Sequence, residues 1–172
     1  LEKEIITKTG KWFHMEILPY RTVNNVVEGI VITFLNIDEK KKFEEKLEQE
    51  RNVLMRILEN SPVGKTMVNR EGQIVFANLK AAEIFGLTRE EILRRGFGDR
   101  GWKITDYNGK EIAVEQLPFS KIMQTGEAVY NYQHAIEKPD GTVIYLVING
   151  SPLYSEEDGS VDGAVFSIQQ NR

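Results

Sequence analysis

The sequence predicts an α+β protein built on antiparallel sheet, and three observations carry that expectation. Short runs rich in β-branched and aromatic residues recur between turn-forming residues, as half-buried strands require. From residue 62 the order is two strands, several helices, then three strands, which suits one five-stranded antiparallel sheet with short helices on one face. Between residues 33 and 58, "TFLNIDEKKKFEEKLEQERNVLMRIL" passes from an apolar strand to a charged helical pattern within five residues. A strand that becomes a long helix leaves its sheet, so residue 38 marks the end of one unit and the start of a connector.

Residues 4–8, 11–18 and 26–35 read as three antiparallel strands, separated by Thr9-Gly10 and Asn24-Asn25. Asp38 suits a helix N-cap. Phe43, Leu47, Leu54 and Ile57 then recur at coiled-coil spacing, with Glu50 interrupting the stripe. Asn60-Ser61-Pro62 stops this helix, because proline disfavours helical backbone in the residue before it. Strands follow at 65–69 and 73–77 around Glu71-Gly72, and Asn78 opens a helix carrying Ala81, Ala82, Ile84 and Phe85. Thr88-Arg89-Glu90-Glu91 is a capping box for another short helix. Residues 96–113 are Gly-rich and irregular. A helix from near Val114 ends at Gly126, and strands at 128–137, 142–153 and 161–169 close the chain. In 144–150, Ile144, Leu146 and Ile148 alternate with Val143, Tyr145 and Val147, so both faces of that strand should be covered.

Composition narrows the function. Of 172 residues, 41% are hydrophobic and 28% charged, with a net charge of −4. No basic block exists, which argues against a nucleic-acid partner. No apolar run approaches the ~20 residues of a membrane span, and no secretory signal is visible. The missing initiator Met suggests a segment of a longer protein. The absence of cysteine excludes disulfides, thiol nucleophiles and Cys-ligated metal, and fits a reducing cytoplasm. His14 and His134 are too far apart for a spaced metal motif, and Gly96, Gly98 and Gly101 lack the following Lys-Ser/Thr of a phosphate loop. Glu90-Glu91 and Glu156-Glu157-Asp158 read as a helix start and an exposed turn. No catalytic constellation emerges, so the segment is not expected to be an enzyme.

A repeat explains the strand-to-helix switch. "GKWFHMEILPYRTVNNVVEGIVITF" (10–34) and "GTVIYLVINGSPLYSEEDGSVDGAVFSI" (141–168) share an order: Gly, aromatic-rich strand, Pro, polar turn, Gly, apolar strand. Pro19 matches Pro152, and Gly29 matches Gly163. These stretches, with "SPVGKTMVNREGQIVFANLKAAEIFGLTREEIL" (61–93), resemble the PAS family of sensory domains over nearly the whole chain. The resemblance implies a PAS fold and three parts: 1–37, the closing strands of one PAS domain; 38–60, a connector helix; 61–172, a complete second PAS domain. It implies a sensory input module of a multidomain regulator such as a sensor histidine kinase, with the output domain beyond Arg172. A ligand-free interaction module is the alternative.

By the same resemblance, Thr66, Val68, Leu146, Ile148 and Val165 face a ligand pocket that Trp102 and Phe119 close. Asn36, Ile37 and Asp38 form the relay junction, where Asn36 replaces the family's usual Asp. No His lies between residues 51 and 133, which argues against the family's usual haem mode. The missing Cys excludes a cysteinyl-flavin adduct. A small organic ligand remains open, and Lys65 reads as an exposed lysine or a carboxylate-binding group. Alternation places Phe13, Met15 and Ile17 with Val31, Thr33 and Leu35 on one face of the first sheet. The apolar side chains on both faces point to a homodimer through that sheet or the connector helix.

Overall fold

The computed structural model describes residues 1–171. Two compact units divide the chain, Leu1–Met55 and Arg56–Arg172.

In the first unit, strands β1 (Glu2–Ile6), β2 (Trp12–Arg21) and β3 (Val27–Asn36) form an antiparallel sheet in that order. β2 runs through Pro19, where a strand end was expected. The reason is register. The Ile17 N–H and C=O bond Leu1, so the missing donor of Pro19, two residues on, lies past the paired residues of β1. Pairing of Phe13 with Asn36, Met15 with Phe34 and Ile17 with Ile32 corrects the faces inferred from alternation. Phe13, Met15 and Ile17 share their face with Ile30, Ile32 and Phe34, not with Val31, Thr33 and Leu35.

The helix α1 (Asp38–Glu59) begins against this sheet. Ile37 is buried, its N–H bonds the Trp12 carbonyl at 3.0 Å, and its own carbonyl accepts from Lys41. Ile37 is therefore the N-cap, and Asp38 is the first helical residue. The Asp38 carboxylate turns back instead, accepting from the Trp12 N–H at 2.6 Å. The Asn36 side chain accepts from the Asp38 N–H at 2.9 Å. Lys41 pairs with Glu4 at 2.5 Å and lies over the Trp12 ring. That hydrogen-bonded pairing lowers the Glu4 carboxyl pKa and raises that of Lys41. Beyond this junction no α1 residue is buried. Phe43, Leu47 and Leu54 are exposed by 73%, 68% and 61%, so the apolar stripe does not cover the sheet.

The second unit contains β4 (Gly64–Asn69), β5 (Ile74–Ala77), α2 (Leu79–Phe85), α3 (Arg89–Leu93), α4 (Pro118–Thr125), β6 (Val129–Glu137), β7 (Val143–Tyr154) and β8 (Val161–Asn171). Its five strands lie in the order β5-β4-β8-β7-β6, every pair antiparallel. The Thr88 capping box starts α3 as its sequence requires. The helix expected from Val114 is split. Residues Val114–Gln116 form a 3-10 turn, Leu117 is extended, and Pro118 takes the first helical position of α4, as the restriction before proline dictates. The core packs one face of the sheet against the helices, around Ile92, Ile122 and Leu146. The other face is open within the chain: Val143 and Tyr145 are 49% and 42% exposed, contrary to the expectation of two covered faces. Tyr107 leans on it, edge-on to Tyr145.

The repeat extends to the register. Pro19 pairs with Ile30 and Tyr20 with Gly29; Pro152 pairs with Ala164 and Leu153 with Gly163. Both hairpins then shift register at the next residue, between Tyr20 and Arg21 and between Leu153 and Tyr154. At Gly163 the backbone has φ +155°, and a Cβ there would run into the Val68 carbonyl oxygen.

Asn78 fastens the entry to this unit. It is fully buried. Its side-chain oxygen accepts from the Lys65 and Ala81 N–H groups at 2.8 and 2.9 Å. Its amide donates to the Leu58 and Val63 carbonyls at 2.8 and 3.0 Å. Leu58 lies in the last turn of α1, where carbonyls have no intrahelical partner. Glu59 adds a pairing with Arg89 at 2.8 Å. Asn78→Ala strands these buried groups and should cost roughly 2–5 kcal/mol of unfolding free energy. Asn108→Ala, in an exposed turn, should stay within about 0.5 kcal/mol. Denaturant midpoints of the two variants check this.

Candidate functional site

Between the sheet and the helices of the second unit lies a cavity of about 90 Å³. Alternation along the strands builds its floor: Thr66 and Val68 on β4, Phe166 and Ile168 on β8, Ile148 on β7, and His134 and Ile136 on β6. Gly150 pairs with Phe166, and a Cβ on Gly150 would collide with the Phe166 ring. Glycine there lets that ring lie across β7. The helical side supplies Phe85, Phe97, Trp102 and Phe119. Trp102 is held by its indole N–H, which donates to the Gly96 carbonyl at 2.8 Å. Phe85 packs on the same indole, with ring centroids 4.9 Å apart, and the Arg95 guanidinium lies 4.8 Å from its centroid. Phe97 and Phe119 pack at 4.4 Å.

Of the residues that the sequence nominated, Thr66, Val68, Trp102, Phe119 and Ile148 meet around this cavity. Leu146 is fully buried in the core but does not line the cavity. Val165 lies on the other face of the sheet. It pairs with Met67 and Ser151, while its neighbours Ala164 and Phe166 are buried. The family resemblance sets Val165 one residue out of parity on the returning strand of its hairpin, as alternation does for Val31, Thr33 and Leu35. Lys65 also faces away from the cavity, donating to the Ser167 hydroxyl at 2.6 Å, so it offers no group to a carboxylate there. Asn36, Ile37 and Asp38 gather at Trp12, as described above.

Sequence reasoning missed Phe166 and Ile168, and it read His134 as a structural or surface residue, with ligand contact as the alternative. The parity of His134 with Ile136 was the available signal. His134 is buried. Its Nδ1 lies 3.4 Å from the Ala135 carbonyl oxygen, and burial pulls its pKa below the ordinary 6.5. The ring is therefore neutral near pH 7. Among the described residues no group of three or more His, Asp or Glu could hold a metal ion. No helix among them is long and apolar enough to cross a membrane.

The family profile described as "PAS fold" matches residues 54–169. The chain belongs to the PAS family. A second profile, "PAS domain", matches residues 1–38, so PAS sequence runs on both sides of α1. Solved structures share the fold of this PAS chain. The PAS domain of an HTR-like protein from Haloarcula marismortui is 17% identical, with a TM-score of 0.57 over 76% of this chain and 99% of its own. A PAS domain from a two-component sensor histidine kinase is 12% identical, with a TM-score of 0.55 over 72% and 98%. The Vibrio cholerae VqmA dimer is 21% identical, with a TM-score of 0.54 over 73% and 51%. A search of the curated proteins finds no match.

Two predictions follow from the lining of the PAS cavity and its core. Leu146→Ala or Ile148→Ala should lose roughly 2–5 kcal/mol of stability. Glu157→Ala, in an exposed turn, should change it by no more than about 0.5 kcal/mol. Chemical denaturation separates the two classes.

The second concerns pH. The depressed pKa of His134 means that the unfolded chain binds a proton more readily than the folded one. Its contribution is complete above the ordinary value of 6.5 and is lost as pH falls below it. Thermal midpoints should fall on acidification from about pH 7.5 to 5.5, and fall less in His134→Gln.

Proposed function

We propose that this chain is a sensory input segment of a multidomain, cytoplasmic signalling protein, with a small organic ligand or the preceding PAS unit as its stimulus. The functional parts would be the closing PAS strands at 1–37, the connector at 38–60 and the complete PAS domain at 61–172. The observation that carries the reading is the apolar cavity between sheet and helices, with Thr66 and His134 among its linings. Thr66, Val68, Trp102, Phe119 and Ile148 would contact the ligand, with Leu146 backing them from the core. A sensor histidine kinase is the output domain that best fits, since PAS domains from a sensor histidine kinase and from nitrogen regulation protein NR(II) of Vibrio parahaemolyticus share the fold.

Relay would run through both ends of α1. At its start, Asn36, Ile37 and Asp38 fix the helix to Trp12. At its end, Asn78 and Arg89 hold Leu58 and Glu59. A ligand that shifts β4 or α2 would bias the last turn of α1 through Asn78, as a two-state element requires.

A second reading, a dimerisation module without a ligand, is favoured by exposed apolar side chains. Phe43 and Leu47 on α1, and Ile30 and Phe34 on β3, are each more than half exposed. The partner would be a second copy, packed through these surfaces. Native mass spectrometry of the purified protein separates the readings. Excess mass that disappears on denaturation supports the sensor, whereas a clean apo dimer supports the second reading. A strict monomer at micromolar concentration would reject self-association, and deleting residues 1–37 should weaken any dimer that uses the first sheet.

A further inference from the structure

Two voids of the second unit share a wall. The cavity of about 90 Å³ and a surface crevice of about 750 Å³ are both bordered by Ile104 and Leu117. Leu117 is buried and Ile104 half-buried. On its helical side the cavity is otherwise closed by buried side chains, among them Phe85, Trp102 and Phe119. Whatever reaches it needs an opening in that wall.

The crevice runs between two banks of chain. Residues 98–105 form one bank and carry Ile104; residues 109–117 form the other and carry Leu117. The banks are tied lightly. Thr105 and Glu111 pair as an isolated bridge. Beside it the Ile112 N–H donates to the Ile104 carbonyl at 3.4 Å, longer than the usual range of about 2.7–3.2 Å. At their other end the banks touch at Gly98, where an added Cβ would lie 2.9 Å from Val114 Cγ1. Glycine there lets them meet this closely. Leu117 stands at a joint of its own bank. Its backbone is extended between the 3-10 turn and Pro118, and it starts α4 without a side-chain capping bond. Two apolar side chains on banks with so few hydrogen bonds between them can part without unfolding the sheet or α4.

We infer that the crevice is the entrance to the cavity, and that Ile104 and Leu117 are its gate, opened when the two banks separate. This rests on reading the cavity as a ligand site and adds the route by which a ligand enters. A gate of this kind makes access depend on the population of the open form.

The same geometry supplies a reversible lock. A Cβ built on Gly98 lies 3.8 Å from the Val114 Cβ, close to the mean of about 3.8 Å across a disulfide, and the chain has no cysteine of its own. Gly98→Cys with Val114→Cys therefore joins the banks when oxidised and frees them when reduced. Trp102 lines the cavity and reports entry. With Trp12→Phe it is the single tryptophan of the chain, and acrylamide that enters quenches its fluorescence. Oxidation of the lock should lower the quenching constant by about threefold or more, and dithiothreitol should restore it. Ile104→Ala, which removes one leaf of the gate, should raise the constant in the chain without the lock. Equal quenching of the oxidised and reduced forms would overturn the inference and leave the cavity as a ligand site with another way in. Failure of the two cysteines to oxidise would overturn it too, because the banks would then not meet at Gly98. No quenching in any form, Ile104→Ala included, would remove the gate and the ligand reading together. Should Ile104→Ala fail to fold, the ratio of reduced to oxidised quenching decides alone.

Discussion

The carboxamide of Asn78 joins four backbone groups that no secondary structure would otherwise bring together. It accepts from β4 at Lys65 and from the first turn of α2 at Ala81, and it donates to Leu58 and Val63. Replacing it by aspartate would put an acceptor against two carbonyls, and by leucine would remove all four side-chain hydrogen bonds. The end of α1, the edge of the cavity floor at Thr66 and the helix carrying Phe85 all meet at this one side chain. A buried polar network with every member satisfied fixes geometry more tightly than apolar contact does.

The first unit solves the same problem at the opposite end of α1 with different chemistry. Ile37 is its one buried hydrophobic residue, and around it the Trp12 backbone meets both Ile37 and Asp38. The Glu4–Lys41 pair is exposed and contributes little by itself; its effect is to hold Lys41 over the Trp12 ring. Between the two junctions, α1 presents a stripe that none of the described residues covers. The relay proposed for α1 rests on this arrangement.

Much of this was legible in the sequence, because its strongest signals are local. The β-branched runs, the Thr88 capping box, the Pro62 stop and the turn glycines act over a few residues, and the elements they imply are present. The repeat was legible too, since Pro19/Gly29 and Pro152/Gly163 hold one register relation in both hairpins. What failed was parity across the hairpins. Alternation puts Val31, Thr33 and Leu35 with Met15, but the partner of Met15 is Phe34; the family resemblance puts Val165 at the cavity, but its partner is Ser151. Which face a returning strand shows depends on the count of residues in the turn and on the bulge beside it. That count is a property of the folded loop, which neither alternation nor the resemblance supplies, and it brings Phe166 rather than Val165 to the cavity. The choice between a structural and a ligand-contacting His134 stayed open for a related reason: a lone histidine in a strand has no local mark of burial, and only pairing with Leu146 shows which way it points.

The account stands or falls on Asn78 as the point where helix end, cavity floor and α2 are held together. Amide hydrogen exchange, read residue by residue in the wild type and in Asn78→Ala, measures this directly. The account predicts that Lys65 and Ala81 lose protection by at least about tenfold, together with the last turn of α1, while Ile148 and Phe166 at the sheet centre keep most of theirs. Equal loss at every site would mean that the variant is merely less stable. Unchanged protection at Lys65, Ala81 and the end of α1 would contradict the account.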